Sequence, residues 1–256
     1  MTEPRIVILA GRGISTNILF NSIKNEFKIK AIILEEGVSK KMFLQRRIRK
    51  LGFFKVFGQI MFQLIIVQIL NILSAKRKRQ ILHSYNLQND PIPLSLVIPV
   101  KSVNDESCLL ALKKLDPSLV IVNGTRIISK DILESIPAKF INMHTGITPM
   151  YRGVHGAYWA LANNDSKHSG VTIHIVDAGI DTGAIIAQAL IKVNRQDNFV
   201  TYPLLQLGEG IPLMKSAIVN TIQDQLFTYE CSGESRLWFH PGFFQYLYYR
   251  IIRKIK

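Results

Sequence analysis

Cysteine is nearly absent from this 256-residue chain, which holds only Cys108 and Cys231. Two are too few for a disulfide scaffold or a cysteine-rich metal centre, so a reducing cytoplasmic setting is expected. Glycine (16) and proline (10) stay at ordinary levels, which excludes collagen-like and low-complexity chains. No internal repeat is visible, which excludes solenoids and propellers. The opening Met-Thr-Glu-Pro-Arg-Ile runs straight into an apolar strand pattern and reads as free of a secretory leader. What is present is 48% hydrophobic residues, enough to bury the core of one α/β-sized domain.

Acid is missing from two stretches. Between Gly37 and Asn89 stand eleven basic residues and no acid, and between Ser235 and Lys256 five more, again without an acid. The net charge of +14 first suggests nucleic acid. These two stretches exceed that total, however, and leave the rest of the chain slightly acidic. The basicity therefore belongs to an insert (37–89) within a body (1–226) and to an extension (227–256). No RNA-recognition motif accompanies it, and no nucleic-acid partner is expected.

The body alternates strand and helix signals. Ile6–Ala10, Lys30–Leu34 and Pro117–Asn123 are apolar runs without alternation, the pattern of buried parallel strands. Phe140–Met143 and Ala184–Lys192 also read as strands, and Val171–Val176 alternates and reads as half-buried. Helical stretches fall at Ser129–Ser135, Val154–Ala162 and Leu204–Gln225. This order predicts a Rossmann-like, doubly wound α/β fold with a mostly parallel sheet. The first turn, Gly11-Arg12-Gly13, is half of a dinucleotide fingerprint, with Glu35 and Glu36 nearest the place of a ribose-binding acid. It reads either as a plain strand-to-helix turn or as a nest of N–H groups for a substrate phosphate.

Chemistry concentrates in Phe140–Gly153 and Gly170–Gly183. Residues two apart on a strand share a face, so Asn142 and His144 project together at the carboxyl end of a parallel strand, where α/β sheets build their sites. A carboxamide beside an imidazole offers an oxyanion donor and a group that titrates near neutrality. Asp181, in a glycine-flanked turn, is placed to orient that imidazole or take a proton. Each residue alone has a plainer reading as a turn or a satisfied polar group.

The order of segments carries more. Asn142-Met143-His144, Ile147-Thr148-Pro149, Arg152-Gly153, Gly170-Val171-Thr172 and Ile180-Asp181-Thr182-Gly183 follow one another in a way that resembles the folate-dependent formyltransferase family. That family includes the glycinamide ribonucleotide, methionyl-tRNA and nucleotide-sugar enzymes. The resemblance implies transfer of a formyl group from N10-formyltetrahydrofolate to an amine, with no metal and no covalent enzyme intermediate. It implies that Asn142 and His144 stabilise the oxyanion, while Asp181 keeps His144 in its working state and helps remove the amine proton. It also implies a pterin pocket between Thr125-Arg126-Ile127-Ile128 and the loop bearing Val176, Asp177 and Gly179, with Arg152 and the turn Gly11-Arg12-Gly13 toward the amine substrate. One departure stands out: Thr145-Gly146-Ile147-Thr148-Pro149 replaces the Pro-Ser-Leu-Leu-Pro common in the family.

The amine is narrowed by length. The 31 residues after Gln225 are too few for the tRNA-gripping barrel of methionyl-tRNA enzymes. An amino sugar, carried on a nucleotide and destined for a surface glycan such as lipopolysaccharide O-antigen, is favoured over glycinamide ribonucleotide, because the purine enzyme does not normally carry such an insert. An inactive binding module is the third alternative. In the insert, Val56–Ala75 is an uncharged twenty-residue run whose Met61, Phe62, Ile65, Ile66, Ile69, Ile72 and Leu73 form one arc of a helical wheel. It reads as a helix packed on the core, as a homodimer interface, or, with the tail residues Phe244, Tyr248, Ile251 and Ile255, as a peripheral patch on the inner face of the membrane.

Overall fold

The computed structural model describes residues 3–37, 40–231 and 233–256, and the side chains of residues 40–43 are not described. Val38 and Ser39, inside the basic insert, lie outside the described residues. In order the chain forms β1 (Ile6–Gly11), α1 (Ile14–Ile23), β2 (Ile29–Glu35), α2 (Lys40–Leu51), α3 (Phe53–Met61), α4 (Val67–Leu73), α5 (Ala75–Ser84), β3 (Val97–Val100), α6 (Glu106–Leu115) and β4 (Leu119–Asn123). It continues as α7 (Lys130–Leu133), β5 (Lys139–His144), β6 (Arg152–Gly153), α8 (Gly156–Ala162), β7 (Gly170–Ile175), β8 (Ile185–Leu190), α9 (Tyr202–Ile222), β9 (Leu237–Trp238) and α10 (Phe243–Ile252).

Seven strands make one sheet in the order β3-β2-β1-β4-β5-β7-β8. The first five run parallel and the last two antiparallel to their neighbours. This is the expected mostly parallel α/β sheet, covered on both faces. On one face Ile6, Ile8, Ile32 and Ile121 pack against α1 and α9, and on the other Val7, Leu9, Ile33 and Val120 pack against α6 and α7. Strands enclosed on both sides need no polar face, which is why β1 is apolar throughout and β4 is apolar up to its last residue, Asn123. Helix α9 reaches the sheet closely because Gly210 lies against Met143 and Val171, where a Cβ would collide.

β7 departs from its half-buried reading. Its five residues Gly170–His174 are buried, and the polar ones that produced the alternation are hydrogen-bonded inside: Thr172 Oγ1 donates to Gly146 O at 2.7 Å.

A third cluster lies off the sheet, where the insert and the C-terminal segment meet the body. Phe62, Tyr158, Phe199 and Tyr246 are buried together, with Phe62 and Phe199 edge to face at 4.8 Å. The predicted apolar arc of the insert is split. Phe62 faces inward with Val56, Gln59 and Leu70, whereas Ile65, Ile69, Ile72 and Leu73 face outward. Two causes are visible. A π-turn over Phe62–Ile66 adds a residue to the helix and shifts its phase, and Gln59 is drawn inside by donating to His240 O at 2.7 Å. The C-terminal helix α10 likewise docks through Tyr246 and leaves Phe244, Tyr248 and Ile251 of its predicted apolar face exposed, whereas Ile255, beyond the end of the helix, packs inward against the third cluster.

Candidate active site

Asn142 and His144 stand at the carboxyl end of β5, and the antiparallel register sets His174 of β7 directly opposite Asn142. Their side chains meet, Asn142 Nδ2 to His174 Nε2, at 3.1 Å. His174 Nδ1 lies 2.7 Å from Ile175 O. A carbonyl only accepts, so Nδ1 carries the proton and Nε2 accepts from the Asn142 amide. That uses one of the two amide N–H bonds and leaves the other for the cavity that Asn142 lines.

His144 is committed at both nitrogens. Nε2 donates to Tyr151 O at 2.8 Å, and Nδ1 faces Asp181 Oδ2 at 3.3 Å. Asp181 sits in a left-handed conformation (φ 51°) on the loop after β7, where its Oδ2 also accepts the Gly153 N–H at 2.9 Å. Arg152 holds the same loop by donating from Nη1 to Ile180 O at 2.9 Å. Burial pulls the His144 imidazole below its ordinary pKa, an effect only partly opposed by Asp181 and the Tyr151 carbonyl. Burial works against the charge of Asp181, but the facing imidazoles of His174 and His144 and the Gly153 N–H that its Oδ2 accepts outweigh it and lower that pKa too. Near neutral pH the pair is therefore a carboxylate beside a neutral imidazole, two acceptors with no proton between them. It is a base waiting for a proton.

Two cavities meet at this base. The larger, about 740 Å³, is lined by Thr125, Arg126, Ile127 and Ile128 on one side and by Val176, Asp177, Gly179 and Ile180 on the other, with Asn142 and His174 at its end. The smaller, about 200 Å³, is lined by Thr148, Arg152, Tyr229, Glu230 and Ser235 among others. Asp181 is the one residue common to both linings. Arg152 Nε and Thr148 Oγ1, in residues of the smaller cavity, are buried with no hydrogen-bond partner among the described residues.

The residues selected from sequence divide three ways. Asn142, Asp181, Arg152 and the seven residues assigned to the pterin pocket line these cavities. His144 lines neither and stands behind Asp181. Gly11, Arg12 and Gly13 line neither cavity, and the turn lies beside Gly124 of the larger one. Gly11 abuts Gly124 O, and Ser15 and Thr16 in the first turn of α1 are tied to Asn123 Nδ2 at 3.2 and 2.9 Å. Glu35, the nearest residue to a ribose-binding acid, is buried and pairs with Arg126 Nε at 2.6 Å, so it is an internal strut that braces Arg126 in the wall of the larger cavity.

Sequence reading missed His174 and the wall Leu237-Trp238-Phe239, which the C-terminal segment brings in by pairing β9 with β6. Nothing local in the sequence marks that pairing. His174 could have been flagged as the residue opposite Asn142 once β5 and β7 were set antiparallel. Among the described residues, no cluster of three His, Cys, Asp or Glu side chains is placed to hold a metal.

Comparison with known proteins adds a family match, a sequence relative and two structural neighbours. The family model described as Formyl transferase matches residues 58–203. A methionyl-tRNA formyltransferase from Finegoldia magna is 36% identical over 134 residues, covering 52% of this chain and 41% of the relative, so the match spans about two fifths of that relative's length. Two solved structures share the fold. A phosphoribosylglycinamide formyltransferase from Anaplasma phagocytophilum superposes with TM-score 0.57 at 20% identity, over 92% of this chain and 98% of its own. A sugar 3N-formyl transferase solved with dTDP and 5-N-formyl-THF superposes with TM-score 0.53 at 18% identity, over 93% and 70%.

Proposed function

The chain belongs to the formyl transferase family, and on that footing we propose that it transfers the formyl group of N10-formyltetrahydrofolate to the amino group of a nucleotide-linked amino sugar. The observation that carries this reading is the shared position of Asp181 between two cavities of unequal size and character. The larger falls within the ~300–1,000 Å³ of drug-sized ligand sites, and its apolar walls suit a flat pterin. The smaller lies below that range and suits the amino sugar alone, with the linked nucleotide lying outside it. Its two unpartnered buried atoms, Arg152 Nε and Thr148 Oγ1, favour an acceptor rich in hydroxyl or phosphate oxygens, because a buried polar group left unpaired costs about 1–3 kcal/mol.

The chemistry follows from the geometry. The acceptor nitrogen bonds to the formyl carbon, whose oxygen becomes an oxyanion held by the free N–H of Asn142. Asp181 takes the proton that the nitrogen sheds and shares it with His144 Nδ1. The bond from carbon to N10 of the folate then breaks, that proton passes to N10, and tetrahydrofolate leaves. With Nε2 committed to Tyr151 and Nδ1 to Asp181, His144 works through Asp181, and the oxyanion role falls to Asn142.

The test is an acceptor screen. The full chain is given N10-formyltetrahydrofolate with a panel of nucleotide amino sugars, glycinamide ribonucleotide and methionyl-tRNA, and both tetrahydrofolate release and the formylated product are measured. Formylation of an amino sugar is expected. Preferential turnover of glycinamide ribonucleotide or methionyl-tRNA would replace the acceptor assignment, and no release with any amine would sink the activity itself.

A further inference from the structure

The helical stretch Phe53–Leu73 is long and apolar enough to cross a membrane, yet most of it is neither buried nor free to cross. One side is fixed to the body through Val56, Gln59, Phe62 and Leu70. Its N-terminal half is anchored by the chain Arg47 Nη2 to Gln59 Oε1 (2.6 Å) and Gln59 Nε2 to His240 O (2.7 Å). Just past its far end, α5 is pinned by Arg77, whose Nε donates to the buried Asp197 at 2.7 Å. A span would have to tear these out.

The opposite side is apolar and open. Phe54 is 87% exposed, Leu64 66%, Ile72 76% and Leu73 74%. Gly58 lies against Gly242 and Phe243, so α10 packs beside α3, and α10 carries exposed apolar residues of its own, Phe244 (81%) and Ile251 (69%). Within the two stretches that carry these apolar residues the charges are all of one sign: Arg49, Lys50, Lys55, Lys76, Arg79, Arg253 and Lys254 are exposed, and neither stretch contains an acid.

We propose that α3, α4 and α10 form a membrane-surface dock that lies in the plane of an anionic lipid leaflet. An apolar centre rimmed by Lys and Arg matches acyl chains below anionic headgroups. A second copy fits worse, because a twofold contact sets the same patch against itself and opposes two acid-free basic rims. Nucleic acid offers nothing for the apolar centre. The proposal is independent of the acceptor assignment.

The experiment is co-sedimentation of the full chain with vesicles of phosphatidylcholine alone and of phosphatidylcholine with phosphatidylglycerol. Pelleting with the anionic vesicles, at least tenfold above the neutral ones, is expected. The double variant Phe54→Ser/Phe244→Ser and the triple variant Lys50→Gln/Lys55→Gln/Lys76→Gln should each lower it several-fold. Unchanged circular dichroism and unchanged formyl transfer would show that both remain folded. Absence of anionic-vesicle binding overturns the proposal, as does binding that the Phe54→Ser/Phe244→Ser variant leaves intact. A dimer in sedimentation velocity that this variant dissociates would also overturn it, by assigning the face to a second copy.

Discussion

Asn142 and His174 face each other across an antiparallel strand pair, and the imidazole accepts one amide N–H at 3.1 Å. The carboxamide is thus fixed by its neighbour before any ligand arrives. His174→Ala frees it to rotate, and misplacing a reacting group by even an ångström costs up to about 10²-fold. We expect kcat to fall by about tenfold or more while KM for the formyl donor changes little. Steady-state kinetics on the variant, with folding checked by circular dichroism, decide it.

Asn142→Ala removes the oxyanion donor and should lower kcat by about 10²–10³-fold. Asp181→Asn removes the proton acceptor and should cost about 10²–10⁴-fold. Both variants should retain the thermal melt of the parent to within a few degrees. Near-parental turnover in either would remove that residue from the mechanism.

The base is lost when it binds a proton, so activity should fall as pH drops. Both Asp181 and His144 are held below their ordinary pKa values, which places the acid limb of kcat/KM below the ~6.5 of a free imidazole. A profile whose acid limb is centred at 6.5 or higher would show that burial does not govern this pair.

Gly146 lies against the hydrogen bond between His144 and Tyr151 O, where a Cβ would strike both partners. Gly146→Ala should therefore turn His144 away from Asp181 and lower kcat by about 10²-fold, while unfolding stability falls less steeply. A variant with parental kcat would show that the loop Thr145–Pro149 absorbs the methyl group.

Arg77 grips Asp197 with Nε and Nη2, at 2.7 and 3.1 Å, and Asp197 has no exposed side-chain surface. Arg77→Met strands that carboxylate, a change that costs about 3–5 kcal/mol when a buried pair is broken. Denaturant unfolding should show a lower midpoint, with the double variant Arg77→Met/Asp197→Asn recovering part of the loss.

Much of this architecture is readable without coordinates. The apolar runs of β1 and β4 had to be strands enclosed on both faces, and the period of β5 had to set Asn142 and His144 on one side. Residue order around Arg152 and Asp181 then carried the resemblance. What stayed hidden depends on partners distant in the chain. The insert helix is apolar on nearly every side, so periodicity could not tell which face Phe62 would bury, and the π-turn shifted it further. Trp238 entered the cavity wall only through pairing with Gly153, eighty-five residues earlier. The burial of His174 depended on a strand direction that composition does not encode.

The clamp on Asp181 is built partly from main chain: Gly153 supplies an N–H and Ile180 receives the Arg152 guanidinium on its carbonyl. Peptide groups persist whatever the neighbouring side chains become. The carboxylate can stay aimed while Thr148, Tyr229, Glu230 and Ser235 around the smaller cavity are exchanged one by one. Such a scaffold separates inheritance of the reaction from inheritance of the acceptor, and a lineage can change what it modifies without relearning how.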